Sequence, residues 1–108
     1  MKSKSYAAFA LAGTLAIGGA ARAEPPQGLA LAQQENCMSC HSVSRQFMGP
    51  SLHDVAARYA SRSDAAQYLA RKILEGSAGV WGPVPMPANT QLNPDEAASL
   101  AGWILTLK

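Results

Sequence analysis

Cysteine and histidine are scarce in this chain, with two of each among 108 residues. One pair of thiols permits at most one disulfide. Two thiols and two imidazoles also offer no regular pair of half-sites for a structural zinc, which takes four ligands. Charged residues make up only 15% of the sequence, with no block of one sign and no internal repeat. Neither the basic stripe of a nucleic-acid binder nor a repeat array is therefore expected. No stretch reads as a strand, which argues against the βαβ setting of a thioredoxin-like dithiol. The one long apolar run, from Tyr6 to Ala21, is rich in Ala and Gly and falls short of the ~20 residues of a spanning helix.

Against this background stands Cys37-Met38-Ser39-Cys40-His41. Two thiols three residues apart, followed at once by an imidazole, fit covalent attachment of a c-type haem. Both sulfurs bond the porphyrin vinyl groups and His41 ligates the iron. A bare Cys-x-x-Cys also reads as a zinc half-site, a dithiol redox pair or a disulfide.

The N-terminus supplies a compartment. Lys2 and Lys4 precede the apolar run, and Ala21-Arg22-Ala23 places small residues where a signal peptidase reads. Residues 1–23 are read as a cleaved secretory signal and 24–108 as the mature domain. No cysteine lies at the cleavage site, so no lipid anchor is expected. Export suits the motif, because such thiols meet haem outside the cytoplasm. Lys2, Lys4 and Arg22 leave with the signal, so six Lys and Arg face seven Asp and Glu in the mature chain. The apparent basicity belongs to targeting and gives no support to nucleic-acid binding.

A mature domain this small is marginal without reinforcement, and haem would supply an apolar plate for helices to pack around. The chain is expected to be poorly ordered without it, as in metal-coupled folding. Four helices are expected. The first runs from about Gln27 toward Cys37, carrying the motif on its end, and the second covers Leu52 to Tyr59. The third starts at Ser63-Asp64 and stops before Gly76, with Ala66, Leu69, Ala70, Ile73 and Leu74 on its apolar face. The fourth opens with Asn93 as cap, Pro94 in the first turn and Glu96 in the capping-box position. Its Leu100, Trp103, Ile104 and Leu107 repeat at helical spacing. The fold class is all-α, one small domain wrapped around one haem.

What fills the iron's other axial position separates electron carriage from small-molecule chemistry. Met38 lies inside the motif and is poorly placed to cross the plate. Met48 follows His41 by seven residues and is not excluded by reach. Met86 stands in Gly82-Pro83-Val84-Pro85-Met86-Pro87, where three prolines fix φ and remove backbone donors. Such a stiff segment can hold a thioether against iron, and Met86 is the expected ligand. His53, at a helix start close behind Pro50, reads as a surface histidine.

The motif, Gly49-Pro50 and the stretch Gly79-Val80-Trp81-Gly82-Pro83-Val84-Pro85-Met86-Pro87 resemble the short bacterial class I cytochromes c of the c-551/c-552 type. The resemblance covers nearly all of the mature chain. It implies that the Pro50 carbonyl accepts a hydrogen bond from the His41 ring, that the Trp81 indole reaches a haem propionate, and that Asn89 hydrogen-bonds near the methionine ligand. By itself Trp81 reads equally as core packing. Leu100 and Trp103 match the pair at which the last helix crosses the first. One departure is that Ala32 stands where members commonly carry an aromatic, which implies a looser crossing and a modest loss of stability.

The function expected is that of a soluble periplasmic electron carrier, not an enzyme. It would be a monomer shuttling single electrons between a respiratory donor complex and a terminal reductase or oxidase, without stable membrane insertion. Partners are expected at the exposed haem edge, with Met38, Pro83 and Val84 as an apolar contact patch. The alternative is a labile Met86 that opens the iron to peroxide or a gas, for which the sequence offers no distal acid or base.

Overall fold

The computed structural model describes residues 2–5, 7–16, 18–19, 24 and 26–107. The ends of the apolar run at Tyr6 and Ala21, the cleavage site expected at Ala21-Arg22-Ala23, and Pro25 lie outside these. Within residues 7–16, Phe9, Leu11 and Leu15 are more than 90% exposed and contribute nothing to the core.

The described residues form four α-helices: α1 (Gly28–Gln34), α2 (Leu52–Tyr59), α3 (Ala65–Glu75) and α4 (Pro94–Leu105). No strand occurs among the described residues, only an isolated bridge between Ser77 and Met86. The capping box of α4 forms in full, the Asn93 side chain accepting from the Glu96 amide at 2.8 Å and the Glu96 carboxylate from the Asn93 amide at 3.1 Å. Ser51 caps α2 by accepting from the Asp54 amide at 3.1 Å, which satisfies one otherwise orphan donor of that helix.

Two helix ends depart from the sequence reading. α1 stops at Gln34, and Asn36 adopts a left-handed conformation with φ 62°. The Cys-x-x-Cys motif therefore sits on its own 3-10 turn, Cys37–Ser39, instead of continuing the helix. Asn tolerates that conformation because its short polar side chain bonds locally. At the start of α3, Asp64 makes no cap bond, its carboxylate being engaged by Arg62. The apolar face of α3 is the expected one at Leu69, Ala70, Ile73 and Leu74, which are buried or pack against the core, but it opens on buried Ala65, with Ala66 exposed.

α4 is the hub, packing on α3 most extensively and also on α2 and α1. Leu100, at 1% exposure the largest fully buried side chain, sits among Leu31, Ala32, Leu69 and Ile104 in one continuous core. Tyr59 of α2 meets Tyr68 of α3 with ring centroids 5.1 Å apart and tilted, a geometry worth ~0.5–1.5 kcal/mol beyond the area it buries.

At the crossing of α1 and α4, the Trp103 indole lies so close to Gly28 that a Cβ there would sit 3.0 Å from the ring. Ala32 is 1% exposed. Small residues let the chains approach, which fills by proximity the space that an aromatic would fill by bulk. Ala32→Phe is expected to overpack this crossing and lower stability by ~1–3 kcal/mol, measured by denaturant unfolding of the haem-loaded protein. A gain in stability would mean that the crossing is loose, as the departure at Ala32 suggested.

Candidate cofactor site

A largely apolar cavity of about 500 Å³ opens beneath the helices, and Cys37, Cys40, His41 and Met86 all line it. The 3-10 turn delivers the first three. Backbone bonds from the Cys40 and His41 amides to the Cys37 carbonyl, at 3.2 and 3.0 Å, coil the motif so that its side chains share one rim. Both cysteines are free thiols. Burial pushes the Cys37 thiol up, with the Glu35 carboxylate adding to the effect against an opposing backbone hydrogen bond.

The His41 ring is fixed by a single bond. Its Nδ1 lies 2.8 Å from the Pro50 carbonyl oxygen. Because that oxygen can only accept, Nδ1 carries the proton and the Nε2 lone pair remains for a metal. The loop that brings Pro50 there is closed by Gly49 donating to the Cys40 carbonyl at 2.8 Å and Leu52 to the Ser42 carbonyl at 2.9 Å. Gly49 lies against the ring itself, since a Cβ would come within 2.8 Å of His41 Cε1.

Met86 arrives on the segment between α3 and α4. Gly76 ends α3 with φ 76°, and a Cβ there would meet the Met86 carbonyl at 2.5 Å. This close approach permits a reciprocal pair of bonds, Ser77 amide to Met86 carbonyl at 3.0 Å and Met86 amide to Ser77 carbonyl at 2.8 Å. Asn89 secures the chain just beyond. Its side chain and its amide both donate to the Ile73 carbonyl of α3, at 2.8 and 3.2 Å, so these two bonds go to α3 and not to Met86. Trp81 borders the cavity, edge-on to Tyr59 at 6.2 Å. Of the other methionines, Met38 packs against the core and Met48 is 55% exposed at the cavity mouth. His53 is exposed on α2.

A model of the cytochrome c family matches residues 26–108. The chain belongs to the cytochrome c family. It is 47% identical to cytochrome c-552 of Nitrosomonas europaea over the full length of both chains. It is 43% identical to cytochrome c-551 of Pseudomonas aeruginosa, over 97% of this chain and 99% of that one. The crystal structure of the Nitrosomonas europaea cytochrome c552 superposes with a TM-score of 0.71 and 54% identity, covering 72% of this chain and 96% of that one. As a class I cytochrome c, the chain has the all-α fold of its relatives and takes covalent haem c. It is an electron-transfer protein and not an enzyme. No helix among the described residues is long and apolar enough to cross a membrane.

The residues present fit haem c: two thiols on one rim of an apolar cavity, an imidazole whose Nε2 is free, and a thioether that reaches the same cavity from the segment between α3 and α4. Sequence reasoning missed Arg58, whose guanidinium stacks 4.4 Å above the Trp81 ring and donates to the Val80 carbonyl at 3.1 Å. An arginine on the polar face of a short helix looks like a solvated charge, and only the folded path of residues 77–86 brings it to the site.

Burial pushes the Tyr59 hydroxyl up, with Tyr68 adding to the shift and Arg58 opposing it. A phenol that holds its proton more tightly when folded supports the fold fully below the ordinary tyrosine value near ~10 and loses that contribution as pH rises above it. Stability of the haem-loaded protein should therefore fall above about pH 10, and less steeply in Tyr59→Phe, as read by denaturant midpoints across the alkaline range. Identical slopes would exclude Tyr59 as the source.

Proposed function

We propose that residues 24–108 form, after removal of the signal at 1–23, a soluble periplasmic monohaem carrier with His41 and Met86 as axial ligands and Cys37 and Cys40 as thioether anchors. The observation that carries this reading is the His41–Pro50 hydrogen bond at 2.8 Å, which leaves Nε2 free in a cavity that Met86 also lines. When bound, the iron supplies reversible one-electron exchange.

The chain's own part is to hold and exclude. Pro50 fixes the His41 tautomer and the orientation of its ring. The bridge at Ser77 and the anchor at Asn89 hold the thioether in place, limiting reorganisation between oxidation states. Trp81, which borders the cavity edge-on to Tyr59, would turn its indole N–H to a haem propionate. The apolar surroundings disfavour the more highly charged ferric state, and a thioether ligand raises the potential further. With both axial positions filled, no substrate needs to reach the metal.

Met86 is favoured over Met48 by its surroundings. Its backbone is locked on both sides, whereas Met48 adjoins Gly49, which abuts the His41 ring, and so comes from the same side as the first ligand. The leader's exposed Phe9, Leu11 and Leu15 are consistent with a segment that does not belong to the domain.

Partners, a respiratory donor complex and a terminal reductase or oxidase, would dock briefly at the haem edge. Val84 is 55% exposed and Met38 partly so, and with Pro83 they flank the two ligand segments. Charge introduced at Met38 and Val84 is expected to slow electron transfer to a natural partner, and unchanged rates would place docking elsewhere.

The carrier reading is tested by visible and near-infrared spectra of protein purified from periplasm, with haem staining of a denaturing gel. Expected are covalent haem, a sharp reduced α-band and a ferric methionine-to-iron charge-transfer band that disappears in Met86→Ala and persists in Met48→Ala. Covalent haem without that band would remove Met86 as ligand, and absence of haem would return the cysteines to zinc or disulfide chemistry.

A further inference from the structure

The loop between Ser77 and Met86 is tied at its base and sparsely held at its apex. Among the described residues, no backbone-to-backbone hydrogen bond is made by residues 78–85, and Gly79 and Gly82 within it adopt φ of 73° and 122°. What holds the apex comes from α2. The exposed Arg58 donates from Nη1 to the Val80 carbonyl at 3.1 Å, while its guanidinium carbon lies 4.4 Å from the Trp81 ring centroid and 5.7 Å from that of Tyr59. One cation thus donates to a carbonyl of the loop and lies over the adjoining indole, a pairing to which a planar guanidinium is better suited than an ammonium.

We propose that Arg58 is a positioning residue that clasps this loop shut and thereby sets how often Met86 leaves the iron. The inference rests on the reading of Met86 as axial ligand. Opening the loop requires the apex to move away from α2, and that motion breaks both Arg58 contacts. The reciprocal Ser77–Met86 bonds fix the register of the base, and the clasp governs the rate of its release. Arg62, Arg71 and Lys72 crowd the neighbouring Tyr68 ring and share the charge of Arg58 without its bond to the loop, which makes Arg71 a control for simple electrostatics.

The test is the rate at which saturating imidazole displaces the sulfur ligand in the ferric holoprotein, followed by loss of the charge-transfer band, since at saturation that rate reports loop opening. Removing an exposed cation–π contact together with a side chain-to-backbone bond is expected to accelerate displacement about fivefold in Arg58→Ala. Arg58→Lys should fall between that variant and the wild type, and Arg71→Ala should match the wild type. Hydrogen exchange at the Met86 amide should quicken in Arg58→Ala alone. An unchanged rate in Arg58→Ala, with the band intact in the wild type, would overturn the clasp while leaving the ligand assignment standing. Equal acceleration in Arg71→Ala would reduce the effect to net charge and overturn it as well. A wild type without the band would remove the ligand assignment and the clasp together.

Discussion

The structure depends first on the hydrogen bond from His41 Nδ1 to the Pro50 carbonyl. An imidazole has two nitrogens and a free rotation about its side-chain bonds, and a metal site needs one nitrogen, unprotonated, aimed one way. A single carbonyl acceptor settles both matters, because it selects the tautomer and the ring plane together. Much of the local chain is arranged to keep that carbonyl in place. The turn after the motif is closed by backbone bonds to Cys40 and Ser42, Ser51 caps α2 immediately after Pro50, and Gly49 carries no side chain where the ring must lie.

The second wall of the cavity is built on a different principle. Residues 77–86 form no regular element, so a short list of specific contacts does the work of a helix or sheet. Gly76 allows two chain segments to approach closely, the Ser77–Met86 pair closes the base, Asn89 ties the exit to α3, and Arg58 meets the apex. Prolines on both sides of Met86 reduce the freedom of the chain before any contact forms, so less entropy is lost in holding the proposed ligand still. A carrier benefits from this economy of motion, because small reorganisation favours rapid exchange.

The local signals were legible in the sequence where they are chemically singular. Cys37-Met38-Ser39-Cys40-His41 has few physical readings, and Asn93-Pro94-Asp95-Glu96 spells a helix start that forms with both of its reciprocal bonds. Boundaries governed by competition were less legible. The carboxylate of Asp64 chose Arg62 over the helix amides, and Asn36 took a left-handed turn that shortens α1. Ala32 looked like a missing aromatic because its partner is Gly28, four residues away along the chain, whose lack of a side chain admits the Trp103 indole. Arg58 was invisible for a similar reason. Its partners lie 22 and 23 residues downstream in an irregular segment whose path no periodicity encodes.

The most direct test of the proposed ligation is proton NMR of the ferrous holoprotein with residue-specific assignment of its methionine and histidine signals. The account predicts that the Met86 side chain alone among the methionines is displaced far upfield by the porphyrin ring current, and that the His41 Nδ1 proton is present and slow to exchange. A ring-current-shifted methionine assigned to Met48, or a His41 ring with no proton on Nδ1, would contradict it.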